Sequence, residues 1–210
     1  MNEKKTKKII FVCTGNTCRS PMAEAVFRSE IRRLRLENVE VLSAGTAAAK
    51  NGEINPYSAI ALAENGLTLE NFRSRELTDD LLDEAYAVVC MTEKQRLALE
   101  EKRAFAFFMS AGERSDTDEK IHSVYTLAGY EIPDPFGRDL DCYRLTFQKI
   151  VEAMPKIIEK LGLAVEEKKG DEVKPAPKKR GRPRKNPAPT TPAAPKKRGR
   201  PQKTAKKTEK

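Results

Sequence analysis

Two spacings of apolar residues alternate along most of the chain, and each change of spacing falls at a cluster of turn-forming residues. Ile9–Cys13 (IIFVC) is a short unbroken apolar run, the pattern of a strand buried on both faces. Over Pro21–Leu34 the apolar residues recur at helical spacing, and Pro21 stands in the first turn, where a missing N–H costs nothing. Val39–Gly45 predicts a second strand, and Pro56–Asn65 a helix stopped by Gly66. Thr78-Asp79-Asp80 predicts the cap of a short helix over Leu81–Ala85. Tyr86–Thr92 reads as a third strand, Glu93–Met109 as a helix and His122–Leu127 as a fourth strand. Leu140–Leu161 reads as a long final helix, disturbed at Pro155. Buried strands separated by helices need crossover connections, so the expected fold is α/β, a doubly wound four-stranded parallel sheet. Ligands of such sheets bind at the carboxyl ends of the strands, near the switch point.

The patterning stops near Leu163. From Lys168 the chain has one Val and otherwise only Ala, Pro and Gly as non-polar residues. Such a segment buries too little surface to offset its ordering entropy and is expected to be disordered. The chain is therefore read as a domain over residues 1–165 and a basic tail over residues 166–210. Charge sharpens this division. The formal net charge of the 210 residues is +9, but Lys168–Lys210 alone holds 17 Lys+Arg against 3 Asp+Glu, a balance of +14. The preceding part is thus acidic, at −5.

Composition removes several classes of function. No apolar run approaches the roughly 20 residues that span a bilayer, and IIFVC is too short for a signal-peptide core. Four Cys without repeated spacing are no disulfide scaffold and no paired-CxxC zinc site. With His122 as the only His, a His-rich metal site is excluded as well, and no metal or cofactor is expected. The expectation is a soluble protein of the reducing cytoplasm, without a membrane partner.

The junction after the first strand carries the candidate chemistry: Cys13-Thr14-Gly15-Asn16-Thr17-Cys18-Arg19-Ser20-Pro21. A Cys six residues before an Arg means little alone, since Cys90 and Arg96 repeat it with no Gly and a Glu between them. The first pair has context. It spans a turn from a buried strand to a helix start, where backbone N–H groups and the helix dipole favour an anion. Gly15 would allow a positive φ in the turn. Arg19 offers a planar fork for two phosphoryl oxygens. Cys13 sits among positive partial charges that favour its thiolate, to which Ser20 can donate a hydrogen bond. No acidic residue lies in the loop.

FVCTGNTCRSPMAEAVF closely resembles the phosphate-binding loop and first helix of the low-molecular-weight protein tyrosine phosphatases. That superfamily also holds bacterial protein arginine phosphatases and thioredoxin-coupled arsenate reductases. SAGT (Ser43–Thr46), the VVCMT strand and DPFG (Asp134–Gly137) match further family positions in the same order, and the resemblance runs from about Lys8 to Leu163. It implies that Cys13 attacks phosphorus and forms a phosphocysteine. Arg19 and the N–H groups of Thr14, Gly15, Asn16, Thr17, Cys18 and Arg19 hold the phosphoryl oxygens. Asp134 is implied as the general acid for the leaving group, and then as the base that activates water. Asn16 matches the residue that braces the loop. The substrates are then phosphorylated proteins.

The resemblance also bears on the leaving group. Tyrosine-specific members carry a bulkier aliphatic residue at the position of Thr17, whereas CTGNTCRS is the pattern of the arginine phosphatases. A small hydroxyl residue leaves room for a guanidinium that an aliphatic wall would crowd or leave unpaired. Phe136, beside the acid, could pack on a phenyl ring or a guanidinium plane. Phosphoarginine is therefore favoured over phosphotyrosine. Arsenate reduction would need two further Cys in a segment after the third strand, but Cys90 has no near partner and Cys142 lies on the last predicted helix. Cys18 is implied as the partner of Cys13 in a reversible, protective disulfide.

In the tail, KKRGRP occurs at Lys178–Pro183 and again at Lys196–Pro201. The repeat resembles the AT-hook, a motif with an Arg-Gly-Arg-Pro core. The resemblance implies that Arg180 and Arg182, or Arg198 and Arg200, lie in the narrow minor groove of A·T-rich DNA. Gly181 and Gly199 would allow close approach to the groove floor, and Pro183 and Pro201 would keep the chain extended. Flanking Lys would contact phosphates, so binding should fall steeply with salt. The body would then act near the nucleoid; the converse expectation is a DNA-tethering protein with secondary phosphatase activity.

Overall fold

The computed structural model of the chain describes residues 6–110 and 118–163. The tail residues Arg180 to Pro183 and Arg198 to Pro201 lie outside the described residues. The elements are β1 (Lys7–Cys13), α1 (Arg19–Arg33), β2 (Val39–Gly45), α2 (Pro56–Ala63), α3 (Asp79–Glu84), β3 (Ala87–Cys90), α4 (Glu93–Ser110), β4 (Ile121–Ser123), α5 (Val124–Ala128) and α6 (Leu140–Lys160), with a 3-10 turn over Asp118–Lys120. The strands form one parallel sheet in the order β2-β1-β3-β4. The expected α/β, doubly wound four-stranded sheet is therefore present.

Alternation along β1 explains why both faces need cover. Ile9, Phe11 and Cys13 point into one core, with α1, α2, α5 and α6, where Phe11 and Phe27 meet edge to face at 5.3 Å. Ile10 and Val12 point into the other, with Leu82 of α3, Leu99 of α4 and Cys90 of β3. The long helix α6 lays Tyr143, Phe147, Ile150, Met154 and Ile157 against the first core. It runs unbroken past Pro155, whose side is exposed, so packing of the apolar face carries the helix through the missing hydrogen bond.

The fourth strand departs from its expected bounds. The sheet takes only Ile121–Ser123, and Val124–Leu127 of the expected strand belong to α5 instead. Ser123 and Thr126 make a reciprocal capping box: the Ser123 hydroxyl accepts from the Thr126 N–H at 3.1 Å, and the Thr126 hydroxyl accepts from the Ser123 N–H at 3.0 Å. Gly129, at φ 90°, closes the helix. Two caps six residues apart outweigh the β propensity of Val124 and Tyr125.

Candidate active site

β1 ends at the centre of the sheet, where its neighbours β2 and β3 lie on opposite sides. This is the switch point, and the turn from Cys13 to the start of α1 crosses it. From Thr14 to Cys18 no backbone N–H is taken up by a hydrogen bond to another protein group among the described residues. The loop's carbonyls, by contrast, are anchored. Cys13 O accepts from Thr46 N at 2.9 Å, Thr14 O from Ala47 N at 3.0 Å and Thr17 O from Asn55 N at 2.9 Å. A loop fixed through its oxygens, with its N–H groups unpaired ahead of a helix, is built for an anion.

The turn depends on Asn16 rather than Gly15. Asn16 has φ 50°, a left-handed conformation that Asn tolerates, while Gly15 does not have a positive φ. Asn16 is fully buried and uses its whole amide. Its Nδ2 donates to Ser20 Oγ and to Ser43 Oγ, both at 3.0 Å, and its Oδ1 accepts from Arg75 N at 2.9 Å. Ser43 in turn donates to Glu24 Oε2 at 2.6 Å, and Arg28 pairs with the other oxygen of Glu24 at 2.5 Å. The buried Glu24 thus has partners on both oxygens, as a buried carboxylate requires.

Cys13 is 3% exposed, and its Sγ lies 3.0 Å from Ser20 Oγ. Ser20 also reaches Ala44 O at 3.2 Å, so its single proton can serve either the carbonyl or the sulfur. Arg19 is buried, with its Nη2 2.5 Å from Asp134 Oδ2 and its Nη1 3.5 Å from Ile132 O. The Nε of Arg19 is buried without a hydrogen-bond partner. Asp134 comes from the segment before α6. The buried Ile132 anchors that segment by donating its N–H to Met91 O at 3.0 Å, at the end of β3. The Phe136 N–H donates to Asp134 Oδ1 at 3.2 Å, and the Phe136 ring stands 73% exposed at the rim. Cys13, Arg19 and Asp134, 115 residues apart at the extremes of the last two, thus share one site.

Cys18 is buried, with its Sγ 3.6 Å from Thr17 Oγ1 and 3.5 Å from the hydroxyl of Tyr143. Burial and the Cys18 thiol push the Tyr143 hydroxyl well above its ordinary pKa. Cys90 belongs to the core on the other face of the sheet, and burial pushes its thiol up to about 12. Arg96 pairs with Glu93 at 2.6 Å and with Glu100, so the second Cys-to-Arg spacing is a packing coincidence. Cys142 lies in the first turn of α6.

Several residues that shape the loop escaped the sequence reading. Gly45 abuts it: a Cβ there would lie 2.5 Å from Thr14 O and 2.9 Å from Asn16 N. Gln95 of α4 donates from Nε2 to Thr14 Oγ1 at 3.1 Å. Ser43 and Gly45 fall within SAGT, so the motif was visible although the contact was not; nothing in the sequence marks Glu24, Gln95 or Tyr143.

An unpaired cradle of N–H groups beside a buried thiol suits a tetrahedral oxyanion held against sulfur, which places the protein among the cysteine-based phosphatases. The chain belongs to the low molecular weight phosphotyrosine protein phosphatase family, whose model matches residues 8–168. It is similar to a protein-arginine-phosphatase of Bacillus subtilis, at 38% identity over 153 residues, covering 73% of this chain and 95% of the relative. It is also similar to the low molecular weight protein-tyrosine-phosphatase PtpB of Staphylococcus epidermidis, at 33% identity over 155 residues, covering 71% and 96%. Among solved structures, a YwlE mutant from Bacillus subtilis superposes with a TM-score of 0.65 and 34% identity, covering 75% of this chain and 99% of that one. The protein is accordingly an enzyme, a protein phosphatase. Among the described residues no helix is long and apolar enough to cross a membrane.

Proposed function

We propose that the protein hydrolyses phosphoarginine in protein substrates through a phosphocysteine on Cys13. The Cys13 thiolate attacks phosphorus while Arg19 and the N–H groups of Thr14, Gly15, Asn16, Thr17, Cys18 and Arg19 hold the three equatorial oxygens. The incoming phosphoryl group takes the Arg19 guanidinium from Asp134. The released Asp134 carboxylate takes up a proton from solvent water and donates it to the departing guanidine nitrogen as the P–N bond breaks. Asp134, now a carboxylate, takes a proton from water, which attacks phosphorus and expels the Cys13 thiolate. The convergence of Asp134 on Arg19 beside Cys13 is the observation that carries this assignment.

The preference for arginine rests on Thr17. Its hydroxyl lies 3.6 Å from Cys18 Sγ, the residue is partly exposed, and it shares its loop pattern with the arginine phosphatases. The similarity to the Bacillus subtilis protein-arginine-phosphatase supports the same reading. The phosphotyrosine reading has support from the Staphylococcus epidermidis relative. Thr17→Ile is expected to raise the ratio of phosphotyrosine to phosphoarginine turnover by about tenfold or more. The check is a side-by-side kinetic comparison with Cys13→Ser as the blank; an unchanged ratio rejects Thr17 as the selector.

For the tail, the reading that the sequence supports is a nucleic-acid tether. Arg180, Gly181, Arg182 and Pro183, with their repeat Arg198, Gly199, Arg200 and Pro201, would enter the minor groove of A·T-rich DNA. Two copies on one Pro/Ala-rich linker would bind bivalently.

A further inference from the structure

A groove of about 540 Å³ adjoins the phosphate loop. Thr14, Arg19 and Asp134 line it, together with Ala98, Lys94 and Lys102 of α4. The helix is fixed to the loop at its first turn. Gln95 Oε1 accepts from Thr92 N at 3.2 Å, Gln95 N donates to Thr92 Oγ1 at 3.3 Å, and Gln95 Nε2 donates to Thr14 Oγ1 at 3.1 Å. One side chain therefore caps α4 and ties it to the phosphate-binding loop. The α4 wall does not hang free of the reaction centre but starts from it.

The groove is electrostatically one-sided. Among the described residues Asp134 is its only carboxylate, and Arg19 holds it. Lys94 and Lys102 are exposed, and among the described residues neither takes part in an ion pair. Arg96 and Arg103, also on α4, are each held by carboxylates. Among the described residues, the two lysines that face the groove thus have no carboxylate partner, whereas the arginines serve the fold. Leu77 and Leu99 give the same groove an apolar floor. An extended polypeptide, with apolar stems and charged tips, fits that lining better than a small ion does.

The geometry points to a recognition surface for the protein substrate: the segment flanking the phosphorylated residue lies along α4, and Lys94 and Lys102 pair with acidic side chains in it. This rests on the phosphatase assignment of the loop. The spacing of the lysines sets a register. Eight residues of helix cover about 12 Å. An extended chain rises about 3.3 Å per residue, so the acidic side chains should stand about four positions apart.

The test uses the full chain and two matched phosphopeptides, one with acidic residues four positions apart beside the modified residue and one with Ala there. Each peptide is made with phosphoarginine and with phosphotyrosine, so that the choice of leaving group does not confound the result. The wild type is expected to favour the acidic peptide in kcat/KM by about three- to tenfold at low salt, with the preference fading as salt is raised. Lys94→Glu with Lys102→Glu should invert the ratio, and Lys94→Gln with Lys102→Gln should bring it near one. Thermal melting reports whether each variant folds; if the charge-reversed protein does not, the Gln variant decides. A wild-type ratio near one, or a ratio that folded variants leave unchanged, overturns the groove as a recognition surface. Wild-type protein inert toward p-nitrophenyl phosphate and toward all four phosphopeptides overturns the phosphatase assignment, and with it this proposal; turnover of any of them with a ratio near one overturns the groove alone.

Discussion

Gly45 lies so close behind the phosphate loop that a single added carbon would collide with it. The Cβ of an alanine would sit 2.5 Å from Thr14 O, 2.8 Å from Ala48 Cβ and 2.9 Å from Asn16 N. Two of these neighbours are backbone atoms, which cannot rotate aside. Gly45→Ala is therefore expected to destabilise the fold by about 1–3 kcal/mol. It should also cut kcat/KM by more than tenfold, because the loop itself must shift. Denaturant unfolding and turnover of a small aryl phosphate check both effects; a variant with wild-type midpoint and turnover refutes the contact's importance. At this scale the sequence was informative wherever the site is contiguous. Cys13 through Ser20 could be read as one turn, because strand, loop and helix start follow each other without interruption. Asp134 was legible only through its family motif, since chain distance hides spatial distance. The turn residue was misread for a physical reason: Gly15 is the default for a positive φ, but Asn16 has that conformation and braces it with its own amide. Gly45, Glu24 and Gln95 were silent because their constraint is steric or hydrogen-bonded contact with another segment.

At the scale of elements, the strands and helices that follow a single period were placed within a few residues, whereas β4 and α5 were merged. The region from His122 to Leu127 has strand composition, yet it contains a helix N-cap at its second residue. Local capping decided the outcome, and a capping box ending in Thr rather than Glu gives a weak signal in sequence. The surviving strand carries the chain's one His, and its surroundings give a testable pH dependence. His122 is half-buried, and burial first, then the nearby Arg96 guanidinium, lower its pKa below the ordinary 6.5. Above pH 6.5 the residue is neutral in both the folded and the unfolded chain. As pH falls below 6.5 the unfolded chain takes up a proton that the folded chain resists, so stability declines until the lowered folded pKa is passed. Urea midpoints measured at about pH 7.5 and about pH 5.5 should therefore differ in the wild type, and His122→Asn should reduce the difference. An equal difference in the variant would assign the effect to other groups.

Over the whole molecule, the net charge of +9 averages two unlike parts, and each should be separable by experiment. Residues 1–167 alone are expected to retain turnover of small substrates within about twofold, since the chemistry needs only the loop and Asp134. The full chain, but not this shorter piece, is expected to shift A·T-rich duplex more than G·C-rich duplex in a gel assay, with binding weakened steeply between about 50 and 200 mM salt. Equal shifts for both duplexes would leave a general polyanion binder, and lost turnover on truncation would reject the modular division. The order of the sheet carries a consequence for synthesis. β1 lies between β2 and β3, yet it is made first, and its pairing with β3 waits for residues 87–90. Once β2 is complete, about 45 residues must still leave the ribosome before the other edge of β1 gains its partner. At roughly 5–20 residues per second that is an interval of about 2–9 seconds. During it the nascent chain presents Ile9 to Val12 as an open, apolar edge, the kind that recruits neighbouring strands and the chaperones that prevent it. The strand that ends in Cys13 thus waits longer for its second partner than β3, the other inner strand, does.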